Sequence, residues 1–253
     1  MAAYYNEIDP YAAQWLRNLI AAGHIAPGDV DERSIQDVHP DDLKPFTQCH
    51  FFAGIGAWSL ALRRAGWPDD RPVWTGSCPC QPFSSAGAGA GFDDERHLWP
   101  DFHWLIQECR PAVVLGEQVA KAADWLSLVR SDLAALDYAL GCMPIEAACA
   151  GSFTLRERYF FVAHSDGVGR EESRLPPSWR DQENAAGSPD IPGDAGALSF
   201  VECIDGKQRP IEPGTFPLAD EYPNRVELLR AYGNSIDVKA AAQFIAAYLD
   251  TLA

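Results

Sequence analysis

From residue 4 to about residue 163, short apolar runs alternate with amphipathic segments of helix length. Residues 3–6, 49–52, 73–76, 112–115 and 159–163 are such runs and read as strands. In residues 10–22, Tyr11, Trp15, Leu16, Leu19 and Ile20 share one face at helical spacing. Pro10 suits the first turn of that helix, where its missing N–H would have no partner. Residues 57–65, 99–109, 122–136 and 238–252 read likewise as helices, the last of them Ala-rich. Strands alternating with helices predict an α/β sheet. The alternation breaks at His164: residues 164–222 hold 14 Gly or Pro among 59, which predicts a loop-rich lobe with few hairpins. Within it, residues 200–204 and 208–211 flank Asp205-Gly206, a hairpin signal. The expected organisation is a catalytic α/β domain over 1–163, a lobe over 164–222, and a segment over 223–253 that returns to the first domain.

Composition narrows the partners. The 253 residues, 47% hydrophobic and 22% charged, are those of a globular chain large enough to fold without staples. Against 36 Asp+Glu stand 20 Lys+Arg, a net charge of −16, which excludes nucleic-acid binding driven by bulk charge. Any such binding must be built locally. No run approaches the ~18 apolar residues of a membrane span, and Tyr4-Tyr5-Asn6-Glu7 is no signal peptide. The seven cysteines, an odd number without framework spacing, point to free thiols in a reducing cytoplasm. The expectation is a cytoplasmic monomer with neither membrane nor metal partner.

The chemistry concentrates in Ser77-Cys78-Pro79-Cys80-Gln81-Pro82-Phe83-Ser84, directly after a predicted strand. A cysteine between prolines there sits on a stiff loop over the carboxyl edge of the sheet, where open α/β folds bind ligands. Three readings fit these residues: a nucleophile, two buried loop cysteines, or half of a zinc site lacking its second Cys/His pair. Phe52-Ala53-Gly54-Ile55-Gly56 ends another strand and opens a helix, so its backbone amides can approach a nucleotide-like ligand. Glu117 follows an apolar run and reaches the same sheet edge. Arg156 and Arg158, two apart, share one face of a strand, and Asn234-Ser235 precede the final helix.

In this order the segments resemble the DNA cytosine-5 methyltransferase family, over about residues 4–163 and 225–252. The resemblance implies a Rossmann-like S-adenosylmethionine-dependent methyltransferase sheet with a small target-recognition lobe, acting on double-stranded DNA. Cys80 would attack C6 of cytosine and Glu117 would engage N3. The activated C5 would then take a methyl group from S-adenosylmethionine. Arg156 and Arg158 match the arginines that hold the flipped base and the loop. Phe52, Gly54 and Gly56 would line the cofactor, with Asn234 and Ser235 closing its pocket. Gln81 and Ser84 would contact DNA, as would Lys207 and Arg209 on the hairpin. A catalytically silent DNA- or protein-binding relative and an RNA cytosine-5 methyltransferase are the alternative readings.

One feature departs from the family order. Two acidic strand ends that bind the cofactor usually lie between the glycine loop and the cysteine loop, yet only 24 positions separate Gly56 from Cys80. Either the pair is deleted or it has moved. The N-terminus carries Tyr5-Asn6-Glu7-Ile8-Asp9-Pro10, and then Gly28-Asp29-Val30, which look like the missing pair. Glu7 would take the ribose hydroxyls and Asp29 the adenine amino group, with Ile8 and Val30 beside them. This circular permutation requires the glycine strand to lie between the Glu7 strand and the cysteine strand. Residues 31–48 must then carry the chain back across one strand. Lesser departures are His50, Gln118 and Thr154, where the family usually has Asp, Asn and Gln.

Overall fold

A computed structural model of the chain describes residues 2–79, 97–119, 123–152, 156–165, 199–202, 208–211 and 235–252. The chain divides into two compact units, Met1–Val168 with Val226–Ala253, and Gly169–Arg225. In the first unit seven strands form one sheet in the order β2-β1-β3-β4-β5-β7-β6. They are β1 (Ala2–Asn6), β2 (Gly28–Asp31), β3 (Phe46–Phe51), β4 (Val73–Gly76), β5 (Val113–Val119), β6 (Tyr138–Glu146) and β7 (Glu157–Ser165). Strands β2 through β5 pair in parallel with their neighbours, whereas β7 runs antiparallel to both β5 and β6. Strand β3, which leads into the Gly54 turn, therefore lies between β1 and β4, and the β2–β3 connection passes over β1.

Helices α1 (Pro10–Ala21), α2 (Pro40–Leu43), α3 (Ala57–Arg64), α4 (Trp99–Cys109), α5 (Ala123–Ala135) and α6 (Val238–Asp250) cover the sheet. On one face Leu16 of α1 meets Tyr5, while Leu62 of α3 and Ile245 of α6 meet Leu115 and Phe160. On the other, Phe102 and Ile106 of α4 and Trp125 and Val129 of α5 meet Phe51, Val114 and Phe161. A sheet buried on both faces explains why its central strands read as near-continuous apolar runs. Helix α1 starts where expected, since the Asp9 carboxylate accepts from the N–H groups of Tyr11 and Ala12.

Strand β6 was not anticipated, and β2 was marked only by the acidic strand end at Asp29 that the resemblance implies. Both are edges. Gly28 packs so closely on β1 that an added Cβ would lie 2.6 Å from the Ala3 carbonyl carbon. In β6, Gly141 and Pro144 interrupt the apolar pattern, which an edge strand tolerates because one side of its ladder has no partner. Strand β7 runs to Ser165, two residues past the expected domain boundary, because it keeps its pairing with β6 as far as Tyr138. The second unit contains the expected hairpin: β8 (Ser199–Glu202) and β9 (Gln208–Ile211) pair antiparallel.

Candidate active site

The carboxyl ends of β1 and β3 build one half of the site. Glu7, the residue after β1, is fixed from behind by its own N–H, which donates to Asp31 O at 3.0 Å. Its Oε2 accepts from Gly54 N at 2.7 Å and its Oε1 from Asp9 N at 2.9 Å. Burial raises the Glu7 carboxyl above its ordinary value, against the pull of those two N–H groups. Across from it, Phe52 adopts φ 52°, a left-handed backbone uncommon for a residue with a side chain. Gly54 and Gly56 follow at φ 54° and 77°. A Cβ at Gly56 would stand 3.0 Å from Ile25 Cδ1 and 3.1 Å from Leu16 Cδ2, so glycine keeps the start of α3 close to α1. A Cβ at Gly54 would meet nothing within 4 Å, which leaves open space directly over the amide that faces Glu7.

Ile8, next to Glu7 in the chain, is 65% exposed, a large apolar side chain left uncovered. Acceptor lone pairs, bare backbone and an apolar cover together fit the sugar and base of a nucleoside. Glu7 thus stands against Gly54, with Ile8 next to it in the chain. Asp29 does not share that edge: it is exposed in the interior of β2, opposite Tyr4, and Val30 is opposite Tyr5. The strand's last residue is Asp31, which a four-residue strand carries two positions further than the motif suggested. Asp31 is already engaged by the Tyr4 hydroxyl at 2.8 Å and by Arg33 at 2.7 Å. Burial opposes ionisation of Asp31, but the Arg33 hydrogen bonds prevail and hold its carboxyl below the ordinary range.

The second half lies at the ends of β4 and β5. Ser77 Oγ accepts from Trp58 Nε1 at 3.0 Å, which ties the cysteine segment to α3. Gln118 Nε2 reaches Cys78 O at 3.4 Å, and its Oε1 accepts from Val119 N. The sequence marked Gln118 only as a departure; the extra methylene over Asn is what its reach uses. Burial pushes the Cys78 thiol up, so Cys78 stays neutral and unreactive.

Glu117 is 7% exposed, and Arg158 Nε stands 2.9 Å from its Oε1. Strand β7 brings this about by placing Arg158 opposite Val119, diagonal to Glu117. Burial raises the Glu117 carboxyl to about 7, with the charges of Arg158 and then Arg156 pulling against it. An acid at this value carries a proton part of the time at neutral pH. Ser235 is half-buried, its hydroxyl donating to Ile236 O at 3.1 Å. Cys80, Gln81, Ser84, Thr154, Lys207 and Asn234 lie outside the described residues, as does the Arg209 side chain. Among the described residues, no group of three or more His, Cys, Asp or Glu could hold a metal ion. No helix among them is long and apolar enough to cross a membrane.

The sheet, parallel but for one reversed strand and with a carboxylate beside a glycine turn at its edge, is of the Rossmann-like class. The C-5 cytosine-specific DNA methylase profile matches residues 67–194, about half of the sequence, and the chain belongs to that family. It is 29% identical over 160 residues to the type II methyltransferase M.NgoMIV of Neisseria gonorrhoeae, covering 47% of this chain and 51% of the relative. With the type II methyltransferase M.HhaI of Haemophilus parahaemolyticus it shares 27% over 113 residues, covering 42% and 35%. The chain thus matches about half the length of the first relative and about a third of the second. The crystal structure of a putative DNA modification methyltransferase encoded within an E. coli prophage is similar at 20% identity and a TM-score of 0.43, covering 64% of this chain and 40% of that one.

Proposed function

We propose that the chain methylates C5 of cytosine in double-stranded DNA, with S-adenosylmethionine as donor and Cys80 as nucleophile. The observation that carries this reading is Glu117, a buried acid held near neutrality beside Arg158 at the edge that bears the cysteine segment. Cytosine is a poor electrophile at C6. A thiolate adds there only if electrons are drawn toward N3, and an acid near neutrality can hold or lend a proton at that atom. The Cys80 sulfur forms a bond to C6, and the electron pair of the 5,6 double bond becomes available at C5. When bound, S-adenosylmethionine supplies the electrophilic methyl group that C5 takes. Loss of the C5 proton and of the thiolate then restores the ring and frees Cys80. Arg158 and Arg156 hold Glu117 and, through their positive charge, favour the thiolate. The base must leave the duplex to reach them, at a cost of about a few kcal/mol.

Glu7, Phe52, Gly54 and Gly56 hold the cofactor, Glu7 through the ribose hydroxyls and Ile8 as apolar cover. Asn234 and Ser235 close the pocket. On this reading the block carrying β1 and β2 has been exchanged with the glycine strand ahead of the cysteine strand. The C-terminal helix keeps its place, so the rearrangement is more local than a circular permutation of the whole chain. Two features support it: the carboxylate of Glu7 on Gly54, and a family match that begins only at Trp67. DNA contacts fall to Gln81 and Ser84 and to Lys207 and Arg209 of the hairpin. In 164–222, 12 acidic residues outnumber five basic ones, so those contacts must be few.

The test is covalent trapping. With S-adenosylmethionine and duplex DNA containing 5-fluorocytosine, which lacks the proton that must leave, the protein should form a stable adduct. Cys80→Ser should form none. Trapping on RNA alone, or on neither, would refute the assignment.

A further inference from the structure

One aromatic side chain touches both halves of the site from within the core. Phe102 of α4 is fully buried on the sheet. Its ring meets Phe52 edge to face, centroids 6.2 Å apart at 88°, and packs on Phe51 at 5.0 Å. The same ring covers Gly76, the last residue of β4 and the start of the cysteine segment. A Cβ on Gly76 would overlap the ring, standing 2.7 Å from Cζ. Gly76 is thus glycine because the ring occupies that place, not for its backbone angles, which are those of a strand. Trp99 also packs edge to face on the ring, at 6.0 Å and 87°.

The arrangement has a mechanical meaning. Phe52 holds an unfavourable left-handed backbone at φ 52°, which persists only if its surroundings fix it. The ring contact from Phe102 helps to fix it, together with the Ala53 N–H that donates to Asn6 O at 3.0 Å. A ring shifted away from Gly76 would move against Phe52, and the reverse.

We propose that Phe102 is a positioning residue that couples the cofactor loop to the cysteine loop, one ring setting both the Phe52 turn and the exit of β4 at Gly76. The proposal rests on the functional reading above, since it takes these two loops as the cofactor and nucleophile segments. It makes a mutation on the cysteine strand change cofactor affinity, which separate loops would not do.

A double-mutant cycle tests it with Gly76→Ala, Phe102→Leu and the pair, titrating S-adenosylhomocysteine by calorimetry and following thermal unfolding in parallel. Gly76→Ala should weaken binding by about 3- to 10-fold, the size of one aromatic contact. Phe102→Leu should weaken it similarly. The pair should bind no worse than Phe102→Leu, because leucine leaves room for the new methyl group. Single-turnover methyl transfer should fall and recover in the same pattern. If Gly76→Ala does not fold, Phe102→Leu and the pair carry the test. A folded Gly76→Ala or Phe102→Leu protein with wild-type affinity, or strictly additive losses, overturns the coupling. A wild-type protein that binds no S-adenosylhomocysteine overturns the functional reading itself and the coupling with it.

Discussion

Removing the Glu7 carboxylate probes the cofactor half of the site directly. Two backbone N–H groups donate to it, from Gly54 at 2.7 Å and from Asp9 at 2.9 Å. In Glu7→Ala both lose their acceptor, at about 1–3 kcal/mol each for a fully buried group. The side chain is only half-buried, so water replaces part of that loss and the fold should give up about 1–2 kcal/mol. For a chain of this size the thermal midpoint then falls by about 2–8 °C. The ligand loses more in proportion, because the acceptor of its ribose hydroxyls is gone. At about 1–3 kcal/mol, affinity should drop about 5–150-fold. Glu7→Gln, which keeps one acceptor oxygen, should fall between. Calorimetry with S-adenosylhomocysteine on folded protein measures this. Wild-type affinity in Glu7→Ala would mean that the N-terminal block is no part of the cofactor site, and the block-exchange reading would fall.

Three further outcomes are expected. Glu117 has its folded value raised from 4.5 to about 7, so the folded chain holds more protons between those values and stability falls as pH rises through that window, by up to about 3 kcal/mol. Glu117→Gln should flatten that pH dependence of the thermal midpoint and slow methyl transfer about 10²–10⁴-fold; an unchanged profile or rate refutes the acid's role. Deleting residues 1–31 removes both β1 and β2, leaving β3 without its β1 partner, and takes the fully buried Tyr5 with them. That truncation should abolish cooperative thermal unfolding, whereas a dispensable tail would leave it intact. With net charge −16, DNA affinity should depend on salt with a shallow slope, equivalent to about five phosphate contacts or fewer. A slope of log K against log salt near −10 would show a far larger basic surface, and unchanged affinity in Lys207→Ala would take the hairpin out of the interface.

The sequence by itself determined the elements whose pattern follows from burial on both sides. Strands β3, β4, β5 and β7 read as apolar runs because helices cover both faces of the sheet, and α1 was bounded by Asp9 and Pro10 through local capping alone. It also marked the candidate segments, since Pro79-Cys80-Gln81, the Gly54 turn, Glu7 and Glu117 stand out by residue type and spacing. Edge strands were illegible for the opposite reason: β2 and β6 each have a side without a partner, so Asp29, Asp31 and Pro144 are tolerated there and break the pattern. Only the tertiary structure decided where Asp29 stands, because register between β1 and β2 is fixed by the close approach of Gly28 to Ala3. It alone decided that Arg158 rather than Arg156 stands 2.9 Å from Glu117, through the antiparallel register of β5 and β7. The ring of Phe102 over Gly76 joins residues from separate elements, and no local spacing encodes such a contact. Residue chemistry and period are local properties of a chain; register, distance and the field at a buried carboxyl exist only once distant segments have packed.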